Sequence, residues 1–140
     1  MENRVARCQF TKRNVSKQAR TFLTIGAILG AISVAVGAFG AHGLNDFLEE
    51  AGRIDTFKTA VNYLWYHTFA VLLVGLISMH KPSKLIHLAG YLFLLGILLF
   101  SGSLFLLIKT SNPSLGAVTP FGGLMFIVGW VLLAVGIFKR

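Results

Sequence analysis

Four long stretches without a charged residue constrain this chain more than any other feature of its sequence. They cover residues 21–45, 59–80, 85–108 and 110–138. Each is at least as long as the roughly 20 residues that a helix needs to cross the hydrocarbon core of a bilayer. Because a backbone in lipid must satisfy its own hydrogen bonds, such spans form helices. The sequence therefore predicts an all-α, polytopic membrane protein with a bundle of four transmembrane helices.

The composition argues against a soluble alternative. Of the 140 residues, 55% are hydrophobic and only 13% are charged. A soluble domain of this size has too little interior to bury four wholly apolar helices. The predicted spans are about 21–41, 59–79, 85–108 and 118–138. They form one transmembrane domain, residues 21–138, which is followed by a short basic end at 139–140.

Residues 1–20 are strongly basic and predict a cytoplasmic tail. They hold six Lys or Arg residues against a single acid, Glu2. Two alternatives stay open: a secretory signal, whose apolar stretch of about 7–15 residues is shorter than this one, and an Arg-rich mitochondrial presequence. Cys8 is the only cysteine, which excludes an intrachain disulfide and a cysteine-based metal cluster. We expect an inert thiol at this position.

The net charge of +8 indicates a membrane rather than a nucleic acid as the partner, because the basic residues flank the apolar runs. If the N-terminus is cytoplasmic, ten Lys or Arg residues face the cytoplasm, and only Arg53, Lys58 and Lys109 face the other side. This asymmetry fits the positive-inside rule. We predict a cell membrane (inner or plasma) location with both termini cytoplasmic. A mitochondrial membrane is the alternative for a eukaryotic source.

The segment between the first two spans combines acidic residues with an apolar helical face. Its apolar positions recur at helical spacing: Leu44, Phe47, Leu48 and Ala51. This pattern predicts a short amphipathic helix on the membrane surface. Asp46 is predicted as its N-cap and Gly52 as its C-terminal stop. Asp55 or Thr56 is predicted to cap the second long helix.

Small residues recur on one face of the first and the last span. The set is Gly26, Gly30, Ser33, Gly37, Gly40, Gly122, Gly129 and Gly136. Small residues let helix backbones approach closely in lipid, so we predict helix packing at these positions. Glycines that line a pore are the less favoured reading.

Polar and aromatic side chains from the spans and their ends are predicted to gather in the outer-leaflet half of the bundle. They are His42, Asn62, Tyr63, Tyr66, His67, Ser101, Ser103 and Thr119. Tyr63 and His67 lie four residues apart and share a helix face. Ionisable groups at membrane depth are functional candidates. A neutral His67 can also simply join helices by bonding to Ser101 or to a backbone carbonyl, and the sequence leaves this choice open.

Recognisable catalytic and metal-binding motifs are missing from the sequence. No Asp or Glu lies inside a span, so paired-carboxylate catalysis has no residues to use there. The chain has no His-Glu-x-x-His motif and no cluster at metal-ligand spacing. We therefore expect no enzyme activity, no cofactor and no metal. Only Ser101 with His67 could be drawn as a nucleophile and its base.

Four motifs occur in order along the chain at compatible spacing. They are Gly37-Ala-Phe-Gly-Ala-His-Gly-Leu44, Tyr63-x-x-x-His67, Phe100-Ser-Gly-Ser-Leu104, and Thr119-Pro-x-Gly-Gly123 followed by Gly129-Trp130. Together they resemble the YgdD-like family of small four-helix inner-membrane proteins, a domain of unknown function. The resemblance covers about residues 21–138, implies a four-helix membrane fold and brings no established activity. The chain departs from the usual pattern at Leu64, where the family often has Gln, and at Phe105, where it often has Tyr.

Three functional hypotheses follow from these features. The first is a non-catalytic membrane component that packs with itself, as a homo-oligomer, or with a membrane-protein partner through the glycine-rich faces. The second is a small transporter or ligand-binding unit with a polar His/Tyr/Ser site. The third and least favoured is an intramembrane enzyme.

Overall fold

The structure, a computed structural model, describes residues 16–139, and this part of the chain is almost entirely helical. The helices are α1 (Lys17–His42), α2 (Asn45–Glu50), α3 (Ile54–His80), α4 (Lys84–Thr110), a 3-10 helix (Pro113–Ala117) and α5 (Thr119–Phe138). Within this part, four helices are long and apolar enough to cross a membrane. The predicted all-α fold with four spans and a short amphipathic helix after the first is confirmed.

The first long helix, α1, begins before the predicted start of the first span at about residue 21. The predicted tail lies outside the described residues as far as residue 15, and Cys8 lies there with it. From Lys17 onward the chain is already helical, because the Ser16 side chain accepts a hydrogen bond from the Ala19 backbone N–H at 3.1 Å. Arg20 lies near the start of α1. The helix can include this charge because the long, exposed side chain can extend it to the headgroup region.

The predicted end of α2 at Gly52 is confirmed. Gly52 has a φ of 63°, which is the left-handed conformation that glycine adopts without strain. Its N–H donates to the Glu49 carbonyl at 3.0 Å, and the Arg53 N–H donates to the Leu48 carbonyl at 2.8 Å. These two bonds form a Schellman motif, which satisfies carbonyls that the helix end would otherwise leave open.

The predicted N-caps of α2 and α3 are wrong. Leu44 and Arg53 occupy these positions, and in the described structure neither side chain makes a capping hydrogen bond. Each helix starts within a tight turn, so the Leu44 carbonyl already accepts from Leu48 and the Arg53 carbonyl from Phe57. Asp46 and Asp55 instead lie in the first turns, where a negative charge interacts favourably with the helix dipole.

Long helices that are neighbours along the chain are also neighbours in space. α1 packs on α3, α3 on α4, and α4 on α5. Each pair is antiparallel, as the short connections require. We call one end of the bundle the α2 end, where α1 and α4 finish and α3 and α5 begin. We call the opposite end, which holds the α3–α4 connection at 81–83, the turn end.

The buried core lies along the contacts of α3 and α4 with their neighbours. Its large members include Phe22, Val74, Ile86, Phe93 and Phe126. The outward faces of α1 and α5 carry exposed apolar side chains instead. Lipid tails are as apolar as these side chains, so this exposure is favourable in a bilayer.

The small-residue face of α1 is filled by α3. The glycines meet their partners in antiparallel order: Gly26 faces Leu72, Gly30 faces Thr68, Gly37 faces Val61 and Gly40 faces Phe57. A Cβ on Gly26 would lie only 2.7 Å from the Leu72 side chain. Ser33 is fully buried within α1's inner face, where its hydroxyl donates to the Leu29 carbonyl at 2.7 Å.

The glycine face of α5 is filled by α4 in the same way. Gly122 faces Phe100, Gly129 faces Phe93 and Gly136 faces Ile86. A Cβ at these glycines would lie 2.5, 2.7 and 2.8 Å from the nearest atom. Both glycine faces are thus occupied by helices of the same chain. Self-association or binding of a membrane-protein partner stays a prediction, and it would need a surface other than these two faces.

Candidate functional site

His67 is the central residue of α3, with thirteen helical residues on either side of it. It lies about 20 Å along the axis from Ile54 at 1.5 Å per residue. α3 begins at Ile54, before the predicted start of the second span at about residue 59. The side chain is only 5% exposed.

The His67 ring is held by its own helix and by α5. Its Nδ1 lies 2.9 Å from the Tyr63 carbonyl, one turn earlier. A carbonyl can only accept, so Nδ1 carries the proton and donates. The imidazole also stacks on Phe126, with ring centroids 3.3 Å apart and planes inclined by 8°.

Of the two partners considered for His67, Ser101 and a backbone carbonyl, the structure shows a backbone carbonyl, and it belongs to the same helix rather than to a neighbouring one. Ser101 is 1% exposed, and within residues 16–139 its hydroxyl has no hydrogen-bond partner. The Tyr63 carbonyl accepts from Nδ1 within the helix, and Nε2 has no hydrogen-bond partner among the described residues. Neither a cross-helix bond nor a nucleophile–base pair exists between the His67 and Ser101 side chains.

Further aromatic rings extend the site on both sides of His67. The Tyr63 ring stacks on Phe100 of α4, with centroids 4.3 Å apart and planes inclined by 19°. Phe93 of α4 and Trp130 of α5 pack against each other at 5.0 Å, and both lie near the imidazole. Three helices therefore contribute rings to one cluster.

The cluster borders a cavity of about 520 Å³ between α3 and α5, with α4 behind it. The lining residues are Tyr63, His67, Phe100, Pro120, Gly123, Leu124, Phe126, Ile127 and Trp130. Leu124 and Ile127 are strongly exposed, so the cavity opens sideways onto the surface that faces lipid. We call this space the His67 cavity.

Comparison with known proteins places the chain in a family. A family model described as "Protein of unknown function (DUF423)" matches residues 36–123. The chain belongs to the DUF423 family. Most of the motifs quoted above, from Gly37–Leu44 to Thr119–Gly123, fall inside this match, as does most of the His67 cavity.

Bacterial relatives of this DUF423 protein are named as UPF0382 membrane proteins. One from Staphylococcus haemolyticus is 42% identical over 120 residues, which cover 86% of this chain and 97% of the relative. One from Haemophilus influenzae is 42% identical over 118 residues, covering 84% and 94%. YwdK of Bacillus subtilis is 38% identical over 122 residues, covering 86% and 98%. No solved structure matches the chain.

Ser103 and Thr119 of the DUF423 chain form a polar contact of their own. Their hydroxyl oxygens lie 2.8 Å apart and join α4 to α5. Ser103 is also 3.0 Å from the Phe100 carbonyl, to which its hydroxyl can donate. Neither side chain lines the His67 cavity.

The remaining predicted site residues lie apart from the cavity. His42 is the last residue of α1 and is exposed at the α2 end. Asn62 and Tyr66 are exposed on α3. Of the eight predicted residues, only Tyr63 and His67 line the His67 cavity. In the described part of the chain, no three His, Cys, Asp or Glu residues are grouped to hold a metal ion.

The aromatic residues of α5 are the part of this DUF423 site that sequence reasoning missed. Phe126 stands in an apolar span where its residue type does not set it apart, and Trp130 was quoted only as part of a family motif, without a role in the site. Spacing offered one signal: Phe126 is four residues after Gly122 and three before Gly129, which puts all three on one helix face. Since that face was predicted to pack, Phe126 could have been placed against a neighbouring helix.

Proposed function

We propose that this DUF423 protein is a non-enzymatic, membrane-embedded binding protein. Its ligand is a planar, apolar ring that carries a hydroxyl or N–H group, and it binds in the His67 cavity. The observation that carries the proposal is a histidine nitrogen available for hydrogen bonding in an otherwise aromatic, lipid-facing cavity. Of the three hypotheses from the sequence, this develops the ligand-binding one.

The histidine determines the polar part of the ligand. Nδ1 donates to Tyr63, so in the neutral ring Nε2 is an acceptor. Among the described residues Nε2 has no hydrogen-bond partner, and it is not one of the fully enclosed polar atoms. An acceptor at the edge of an apolar cavity favours a ligand that brings one donor group.

The aromatic walls determine the apolar part of the ligand. Tyr63, Phe100, Phe126 and Trp130 surround the cavity with ring faces and edges. Aromatic rings prefer offset-stacked or edge-to-face contact with other rings, which favours a flat ligand over a branched one. A volume of about 520 Å³ falls in the range of small-molecule sites.

The residues near the cavity favour binding over catalysis. No carboxylate lines it, and the Ser101 hydroxyl is enclosed elsewhere in the bundle without bonding to His67. The site therefore offers a hydrogen-bond acceptor at His67 and aromatic stacking surfaces, and its lining residues include no carboxylate, serine or cysteine.

The orientation of the protein and the narrower family likeness are also proposals. We propose that it lies in an inner or plasma membrane with both termini cytoplasmic, which puts the α2 end outside. The ten-to-three distribution of Lys and Arg supports this arrangement. The specific likeness to the YgdD-like family rests on the four quoted motifs and adds no activity.

A fluorescence experiment tests the binding proposal. The chain has two tryptophans, so Trp65→Phe leaves Trp130, which lines the cavity, as the only reporter. In this background, 6-bromo-2-naphthol and 2-bromonaphthalene differ only in the hydroxyl. We expect the naphthol to quench Trp130 at a concentration about fivefold lower, because one hydrogen bond contributes about 1 kcal/mol. His67→Phe removes this advantage and leaves quenching by 2-bromonaphthalene unchanged.

His80→Phe is the matched control. His80 lies on the same helix and also bonds a carbonyl one turn earlier, that of Leu76 at 3.2 Å, but it is exposed at the turn end. This variant keeps the fivefold preference for the naphthol. Equal quenching by the two compounds, or a preference that survives His67→Phe, refutes the proposal.

A further inference from the structure

A second, larger cavity lies at the α2 end of the bundle. It measures about 650 Å³ and is separate from the His67 cavity, with which it shares no lining residue. The lining residues are Ala35, Val36, Phe39, Leu44, Phe47, Leu48, Phe57, Phe105, Ile108 and Lys109. We call it the α2 cavity.

The α2 cavity exists because α1 and α4 are spaced apart by α3. Both helices pack on α3, and a direct contact between them, Phe22 of α1 against Gly90 and Tyr91 of α4, lies near the turn end. Phe57 of α3 fills the back of this gap, where it lies against Gly40 of α1 and meets Phe105 of α4 edge-on at 5.8 Å. The short helix α2 closes the end of the gap with its apolar side chains.

The shape of the cavity follows from the positions of its lining residues. Ala35 is seven residues before the end of α1, so the cavity reaches about 10 Å into the bundle along the helix axis. Every lining residue but one is apolar. Phe39 and Phe47 remain largely exposed at its edge, so the cavity is open to lipid.

Lys109 is the one charged residue of the cavity. It is the second-last residue of α4, a helix that is long and apolar enough to cross a membrane. A lysine in such a place lays its stem along apolar surface and extends its ammonium group into the headgroup region. The acids of α2, Asp46, Glu49 and Glu50, are exposed and do not line the cavity.

We propose that the α2 cavity binds one acyl chain of an anionic phospholipid, with the lipid phosphate held by Lys109. An apolar slot that opens to lipid and ends in a single cation matches a molecule with a hydrocarbon chain and a negative head. An ion pair between exposed groups contributes at most about 1 kcal/mol, which corresponds to a factor of up to about five in affinity. This site is independent of the His67 cavity and of the function proposed for it.

Lipid retention by the full-length protein tests the proposal. The protein, purified in a neutral detergent, is incubated with phosphatidylglycerol or phosphatidylcholine that carry the same acyl chains, and bound lipid is counted by native mass spectrometry. We expect phosphatidylglycerol to be retained better, by up to about fivefold. Lys109→Gln removes this preference. Lys58→Gln, which changes an exposed lysine of α3 at the same end but outside the cavity, leaves it intact.

A second variant tests the apolar part of the site. Ala35→Trp fills the cavity and abolishes retention of both lipids, while circular dichroism checks that the helices remain. Equal retention of the two lipids by the unmodified protein overturns the proposal. An equal loss of the preference for phosphatidylglycerol in Lys109→Gln and Lys58→Gln also overturns it. So does unchanged lipid retention in a folded Ala35→Trp variant. Retention of palmitate without retention of either phospholipid overturns the assignment to a phospholipid.

Discussion

Two serines on α4 show how strongly the environment of one residue decides its role. Ser101 and Ser103 are two positions apart and both buried, so residue type and depth do not distinguish them. Ser103 joins α4 to α5 through Thr119, whereas the Ser101 hydroxyl has no partner in the described structure. A buried hydroxyl without a hydrogen-bond partner destabilises the folded protein, whereas one that bonds across helices stabilises it.

Alanine substitutions at the two serines should therefore have different effects. We expect Ser103→Ala to lower the free energy of unfolding by about 0.6 kcal/mol, the average for a hydrogen bond between membrane helices. Ser101→Ala should leave the stability unchanged or raise it slightly. Unfolding in mixed micelles by increasing dodecyl sulfate measures both. A loss at Ser101 as large as that at Ser103 would show that its hydroxyl has a partner after all.

At the scale of whole helices, small residues set how closely α4 and α5 approach. Gly122 of α5 lies against the backbone of Phe100, so the two helix backbones are nearly in contact there. The end of α5 is fixed separately, because Lys81 donates to the carbonyls of Ile137 and Lys139 at 2.6 Å each. A cation that satisfies the last carbonyls of a helix stabilises its C-terminal end.

The close contact at Gly122 predicts that a single added methyl group there destabilises the bundle. A Cβ on Gly122 would lie 2.5 Å from the Phe100 backbone nitrogen, whereas one on Gly102 of α4 would meet nothing within 4 Å. Gly122→Ala should destabilise the bundle by about 1–3 kcal/mol, because the helices must separate. Gly102→Ala should be neutral or stabilising, since alanine is the better helix former. The same unfolding assay compares them, and equal effects would contradict the close approach of α4 and α5.

At the scale of the whole molecule, the two ends of the bundle differ in chemistry. The α2 end carries all the acidic residues of the described chain, whereas the turn end carries none of these acids and five cations, Lys17, Arg20, Lys81, Lys84 and Lys139. The two cavities also lie at different positions along the bundle. One lies at the α2 end, and the other lies beside the centre of α3.

The proposed orientation can be tested with single cysteines. In a Cys8→Ser background, Asn112→Cys places a thiol at the α2 end and Ser83→Cys places one at the turn end. We expect a membrane-impermeant maleimide to label residue 112 in intact cells (spheroplasts for a Gram-negative host) and residue 83 only after lysis, since the positive-inside rule puts the turn end in the cytoplasm. Labelling with the opposite order would reverse the assignment of the two sides.

Much of the fold could be predicted from sequence because each span is a local property. Whether residues 85–108 enter a bilayer depends on the transfer of that segment alone, so the number of spans follows from counting charges. The stop at Gly52 is local in the same sense. The N-cap predictions for α2 and α3 were wrong because they chose acidic residues. Tight turns place Leu44 and Arg53 at the cap positions instead.

The candidate site was predictable only in part. Tyr63 and His67 were placed together correctly, since residues four apart on a helix share a face. Their surroundings were not predictable, because the ring that stacks on His67 comes from α5, almost sixty residues later in the chain. Which helix supplies that ring depends on how α3, α4 and α5 rotate against one another.

By itself, the sequence determined that this protein is a four-span membrane bundle with an amphipathic segment after its first span. It also determined where small residues allow close packing. Only the tertiary structure decided that the glycine faces pack against helices of the same chain, that His67 bonds to its own helix, and where the cavities lie. The physical reason is that insertion depends on one segment at a time. A cavity, in contrast, forms where several helices fail to meet, and no single segment contains that information.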